Sequence, residues 1–110
     1  MHNSYSMQQD QLVKEIGELL NEQETLQVIL DEHVNKAKEE PEKYIHYRNI
    51  EDTLTRFEMN VTRTDMVLWN LYKLNLFTYD QYVTLLTHDV FFKLKRKAEL
   101  IMETLKNKEQ

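Results

Sequence analysis

The side chains able to do acid–base, metal or nucleophilic chemistry are present in this chain but never in a working combination. A carboxylate-bridged di-metal bundle needs Glu-x-x-His on two of its helices. The residues three before His33, His46 and His88 are Leu30, Lys43 and Leu85, so none fits. Glu42 lies four before His46, and Asp89 adjoins His88, but each pair supplies at most two ligands and a zinc site takes at least three from the protein. A phosphate-cradling loop needs several glycines, and the chain has one, Gly17. There is no cysteine, which removes disulfides, thiolate metal sites and thiol catalysis. Serine occurs only at Ser4 and Ser6, away from any His–acid pair that could activate it. Acidic pairs are numerous, but on solvated helix faces nothing separates their pKa values as a general acid and base require. The expectation is a protein that is not an enzyme and carries no cofactor and no metal.

Two other groups of residues have the chemistry of binding. The first is aromatic: Trp69, Tyr72, Phe77, Tyr79, Tyr82, Phe91 and Phe92 fall within 24 residues. Such rings either plug one end of a helical core or form a patch for a partner, since Trp and Tyr dominate interface hot spots. Trp69, Tyr72, Tyr79, Tyr82 and Phe91 are the candidate partner-binding residues. The second group is basic: Lys93, Lys95, Arg96 and Lys97 surround Leu94 and are candidate phosphate contacts. Helix, short turn and helix over Thr64 to Arg96 resemble in outline a helix-turn-helix. Yet the second of those helices opens TYDQYVTLL, apolar and aromatic where a recognition helix offers Arg, Lys, Asn or Gln. The formal net charge of −5 also opposes nucleic acid.

The elements that must position these residues follow from composition and period. The 110 residues are the size of one domain. One Gly and one Pro allow few tight turns, while 41% hydrophobic residues are too many for a disordered chain. Long helices remain. From about 7 to 39, Leu12, Leu19, Leu26 and His33 recur every seven residues. Ile16, Gln23, Leu30 and Ala37 do the same, together an a/d seam widened by Val13, Leu20 and Val34. Gln23 could fix register through a buried hydrogen bond, or simply be exposed. Residues 1–6 are expected to fray, as are 108–110. Pro41 ends the first helix and suits the first turn of the next. A second helix over about 42–74 has the seam Tyr47, Leu54, Val61, Leu68 with Ile50, Phe57, Thr64, Leu71. Thr62 to Asp65 looks like a break or bend, but the heptad phase passes through it unchanged.

LYKLNLFTYDQY, Leu71 to Tyr82, is a helix stop and start in succession. Asn75 suits the left-handed position past a helix end. Thr78 and Gln81 have capping-box spacing, with Phe77 and Tyr82 as the staple. A third helix is expected over about 79–107, its stripe Val83, Leu86, Val90, Leu94, Ala98, Ile101 and Leu105. The whole is an all-α, antiparallel up-down-up bundle of three long helices within 7–107, with a surplus of apolar surface that a homodimer would cover.

Charge is uneven. Residues 1–40 carry three Lys against nine acids, whereas 79–110 carry six Lys or Arg against five. No apolar run reaches the ~20 residues of a membrane span. MHNSYSMQQD lacks the basic start and apolar core of a signal peptide. The reading is a cytoplasmic protein that binds another protein as a regulator, inhibitor, immunity or adaptor protein. Nucleic-acid association through the basic cluster is the alternative, and a membrane-surface role is disfavoured.

Overall fold

In a computed structural model the chain is all-helical; the backbone is described from residue 3 to 109 and the side chains from 8 to 108. Three long helices form the bundle, α1 (Asn3–Glu39), α2 (Tyr44–Lys73) and α4 (His88–Glu109), with a seven-residue α3 (Tyr79–Leu85) between the last two. The molecule is 65 × 23 × 14 Å. Helix α1 begins at Asn3 and α4 runs to Glu109. Met1, His2 and Gln110 lie outside the described residues.

α1 and α2 form a hairpin around Pro41. Pro41 does not start α2 as expected; the chain turns over Glu40 to Lys43 and the helix begins at Tyr44. Two α2 side chains fasten the turn: the Tyr47 hydroxyl donates to the Pro41 carbonyl at 2.6 Å, and His46 Nε2 lies 3.0 Å from Glu40 Oε1. Lys43 Nζ is 2.5 Å from the other Glu40 oxygen. The Glu40 carboxylate is held below its ordinary pKa, first by the Lys43 hydrogen bond and then by His46, and Lys43 is raised by the same contact.

Between the two helices the heptad residues interlock. Leu26, Leu30, Val34, Ala37, Ile50, Leu54, Phe57 and Val61 are buried. A polar layer crosses this seam. Gln23 donates to the Thr64 hydroxyl, Thr64 donates to the Asn60 carbonyl, and the Asn60 amide donates to the Leu19 carbonyl. Thr64 and Asn60 are buried, so a one-turn slip would strand their polar atoms. Gln23 thus makes the register bond its place in the seam suggests. α2 is continuous through residues 62–65, so the capping-like spacing there produces no break.

The expected third helix is divided, which corrects the continuous span 79–107. α3 ends at Leu85, Leu86 is extended (φ −61°, ψ 138°), and α4 starts at His88. The cause lies 22 residues back, on α2. The Asp65 carboxylate accepts from the Thr87 backbone N–H at 3.0 Å and from its hydroxyl at 2.8 Å, and it also meets His88 Nδ1. In an unbroken helix the Thr87 N–H would bond within its own helix; here Asp65 takes it and caps α4 from outside. An anion at a helix N-terminus also complements the dipole. Of the expected stripe, Leu94, Ala98, Ile101 and Leu105 lie on the core-facing side of α4. Phe91, Ala98 and Met102 are its buried residues, whereas Val83 and Val90 of the expected stripe are exposed.

Candidate partner-binding surface

The hairpin between α2 and α3 is built by its local sequence. Asn75 has φ 64°, the left-handed conformation that stops α2. The Leu76 N–H donates to the Leu71 carbonyl at 3.1 Å and the Asn75 N–H to the Tyr72 carbonyl at 2.9 Å. These bonds are the Schellman pattern that satisfies the last carbonyls of a helix. Thr78 and Gln81 form both halves of the capping box: Gln81 N–H to Thr78 Oγ1 at 3.2 Å, and Thr78 N–H to Gln81 Oε1 at 2.9 Å.

That geometry brings four of the five expected aromatic residues together. Trp69 and Tyr72 come from the last turns of α2, Tyr79 and Tyr82 from α3. Tyr72 stacks on Tyr82 at 5.3 Å between centroids, and Trp69 meets Tyr82 edge-on at 5.6 Å and Tyr72 at 5.5 Å. Tyr79 closes the group at 5.9 Å from Tyr72 and 6.3 Å from Tyr82. The Lys73 ammonium sits 5.3 Å from the Trp69 ring centre, a cation–π position. The rings contact one another in stacked, tilted and edge-on arrangements.

This cluster does not plug the core. Trp69 is 44% exposed and Tyr79 60%, while α3 contributes no buried residue. α3 touches α2 and has no contact with α1 among the described residues. Met66, Leu76 and Val83, from the same stretch of chain, are also exposed.

Phe91 is the correction. It was expected with the other aromatics, but it is 1% exposed and packs on Phe57 at 5.7 Å, in the core that α4 makes with α1 and α2. The break at Leu86 and Thr87 separates it from Tyr82 and turns it inward. Phe92 is the outward neighbour, near His88.

The basic residues are on α4, away from the hairpin. Lys93, Arg96 and Lys97 line a shallow apolar groove with Phe92, Leu100 and Ile101, while Lys95 is half-buried on another side. α3, which would be the recognition helix of a helix-turn-helix, carries Asp80 and no Lys or Arg. Among the described residues no three His, Asp or Glu side chains gather as metal ligands, and no helix is long and apolar enough to cross a membrane. The group sequence reasoning missed is Asp65, Thr87 and His88. Thr87 followed by Asp89 in the first turn is an N-cap signal, but nothing local identifies Asp65 as the acceptor.

Comparison with known proteins found no matching family model, no matching curated protein and no matching solved structure.

Proposed function

We propose that this chain is a non-enzymatic protein–protein interaction module, and that its partner-binding surface is the aromatic cluster of the α2–α3 hairpin. The observation that carries the reading is the exposure of interlocked rings. Four aromatic side chains hold each other in place while Trp69 and Tyr79 keep about half of their surface in water. Ordered aromatic surface with a flanking cation has low entropy cost to bind and is rich in hot-spot residue types. A cytoplasmic regulator, inhibitor, immunity or adaptor protein fits this surface, with the bundle in up-down-up order and a second copy covering its remaining apolar face.

The alternative, nucleic-acid contact through Lys93, Lys95, Arg96 and Lys97, draws less support. The cations are separated from the hairpin that would have entered a groove.

The test is substitution at the exposed ring. Trp69→Ala is expected to weaken capture of a purified partner by about 2 kcal/mol or more, as a hot spot does, with the circular dichroism spectrum of the chain unchanged. Unaltered affinity in that variant, or loss of helix content, would remove the proposal.

A further inference from the structure

The groove that α4 fills is only half filled. α4 is 22 residues, about 33 Å at ~1.5 Å per residue, whereas α1 is 37 residues, about 55 Å. Phe91 on Phe57 and Lys106 over Tyr47 place α4 over the half of the hairpin nearest Pro41. There α1 meets α4 through Leu30 and Val34, and both are buried. Leu20 and Val13 lie fourteen and twenty-one residues before Val34, in the same row of the helix. Beyond the end of α4 that row is open: Leu20 is 42% exposed and Val13 55%. α3 does not close it, because among the described residues it has no contact with α1.

Gly17 stands in the middle of this open row, four after Val13 and three before Leu20. A mid-helix glycine is unfavourable relative to alanine. Nothing inside the chain explains it, since a Cβ there would meet no atom within 4 Å. The missing side chain leaves room for a second helix to approach closely on the outer face. The charges beside the row are Asp10 and Glu24 with Lys14, all exposed, on the helix where acids outnumber bases. The outer flank of α4 has the opposite character. Exposed Phe92 and Leu100 are spaced eight apart, with Lys93 and Arg96 between them.

We infer that a second copy of this chain packs antiparallel on this face, the Phe92–Leu100 flank of each α4 lying over Val13, Gly17 and Leu20 of the other. Two helices of about 33 Å laid end to end match the 65 Å length of the molecule. Each copy supplies the basic flank and receives it on its acidic row, as a two-fold interface requires. The inference deepens the second-copy reading above and leaves the aromatic cluster free.

Light scattering on the full chain tests it. The expected mass is twice 13.4 kDa for the unaltered chain and for Trp69→Ala, and 13.4 kDa for Leu20→Glu and for Gly17→Leu. A side chain at Gly17 would meet nothing within one copy and Leu20 lies at the bundle's exposed flank, so both variants are expected to retain the helical spectrum of the parent. Lys93→Glu/Arg96→Glu is expected to be monomeric alone and to form a mixed dimer with Asp10→Lys/Glu24→Lys. A monomer at every concentration would overturn the second copy altogether. A dimer that survives Leu20→Glu and Gly17→Leu, or is lost in Trp69→Ala, would overturn this face while leaving a second copy elsewhere.

Discussion

Removing the Asp65 carboxylate is expected to destabilise the fold more than any exposed substitution in the chain. Asp65 is buried, and it is the shared acceptor for the Thr87 N–H, the Thr87 hydroxyl and His88 Nδ1. Hydrogen bonds to a charged acceptor contribute roughly 1.5–3 kcal/mol each in buried settings. Thr87 and His88 are only half-buried, so water takes up part of the loss. Counting the set as one external cap, worth ~0.5–2 kcal/mol, plus the charge-assisted contact to His88, Asp65→Ala should cost about 3 kcal/mol. For a domain of this size each kcal/mol moves the melting temperature by roughly 4–8 °C, so a fall of about 12–24 °C is expected. Asp65→Asn keeps an oxygen for Thr87 and loses the charge, and should cost about half as much. Urea unfolding followed at the helix band gives both values. Amide exchange gives a second readout: the Thr87 N–H should be protected in the parent and exchange quickly in Asp65→Ala. A loss below ~0.5 kcal/mol, the range of ordinary surface changes, would refute the argument that Asp65 sets the α3–α4 break.

Two further outcomes follow from the turns. Asn75 holds φ 64°, so Asn75→Gly should raise the urea midpoint slightly, whereas Asn75→Ala should cost ~1 kcal/mol, the left-handed penalty of an ordinary residue. The Glu40–Lys43 pair sets a pH window. Glu40 titrates below its ordinary 4.5 through the Lys43 and then the His46 contact, so its contribution is complete above 4.5 and is lost as pH falls through the lower folded value. Lys43 titrates above its ordinary 10.5, so its contribution is complete below 10.5 and is lost as pH rises through the higher folded value. Melts of the parent and Lys43→Met should therefore differ by a constant amount between pH 7.5 and 9.5, above the ordinary imidazole range and roughly one unit below 10.5; a difference that changes within that window would contradict the assignment.

What the sequence made legible was local. Asn75, Thr78 and Gln81 specify the α2–α3 hairpin because each acts within four residues of its partner, and the structure has every bond they imply. The heptads of α1 and α2 were equally plain, since a period carries through a helix whatever lies beside it. The break at Leu86 and Thr87 was hidden because its cause is a carboxylate on another helix. Phe91 was misplaced because nearness in sequence grouped it with the hairpin aromatics; on α4 it lies three before Leu94 and seven before Ala98, on the face that packs on the core. Trp69, Tyr72, Tyr79 and Tyr82 were legible as a group because a short hairpin brings them together without help from α4.

The Pro41 turn has a consequence for the order in which the molecule assembles. Contacts beside it join residues a few positions apart, and each step outward along the hairpin widens the separation: Tyr47 to Pro41 spans six residues, Gln23 to Thr64 forty-one, Arg63 to Glu15 forty-eight. Short loops close at the smallest entropic cost. The hairpin should therefore nucleate at Pro41 and zip toward its open end, with α4 docking onto the part that forms first. In stopped-flow refolding, Ile50→Val should slow folding, whereas Thr64→Ser, farther out, should mainly speed unfolding; the reverse pattern would place the nucleus at the open end.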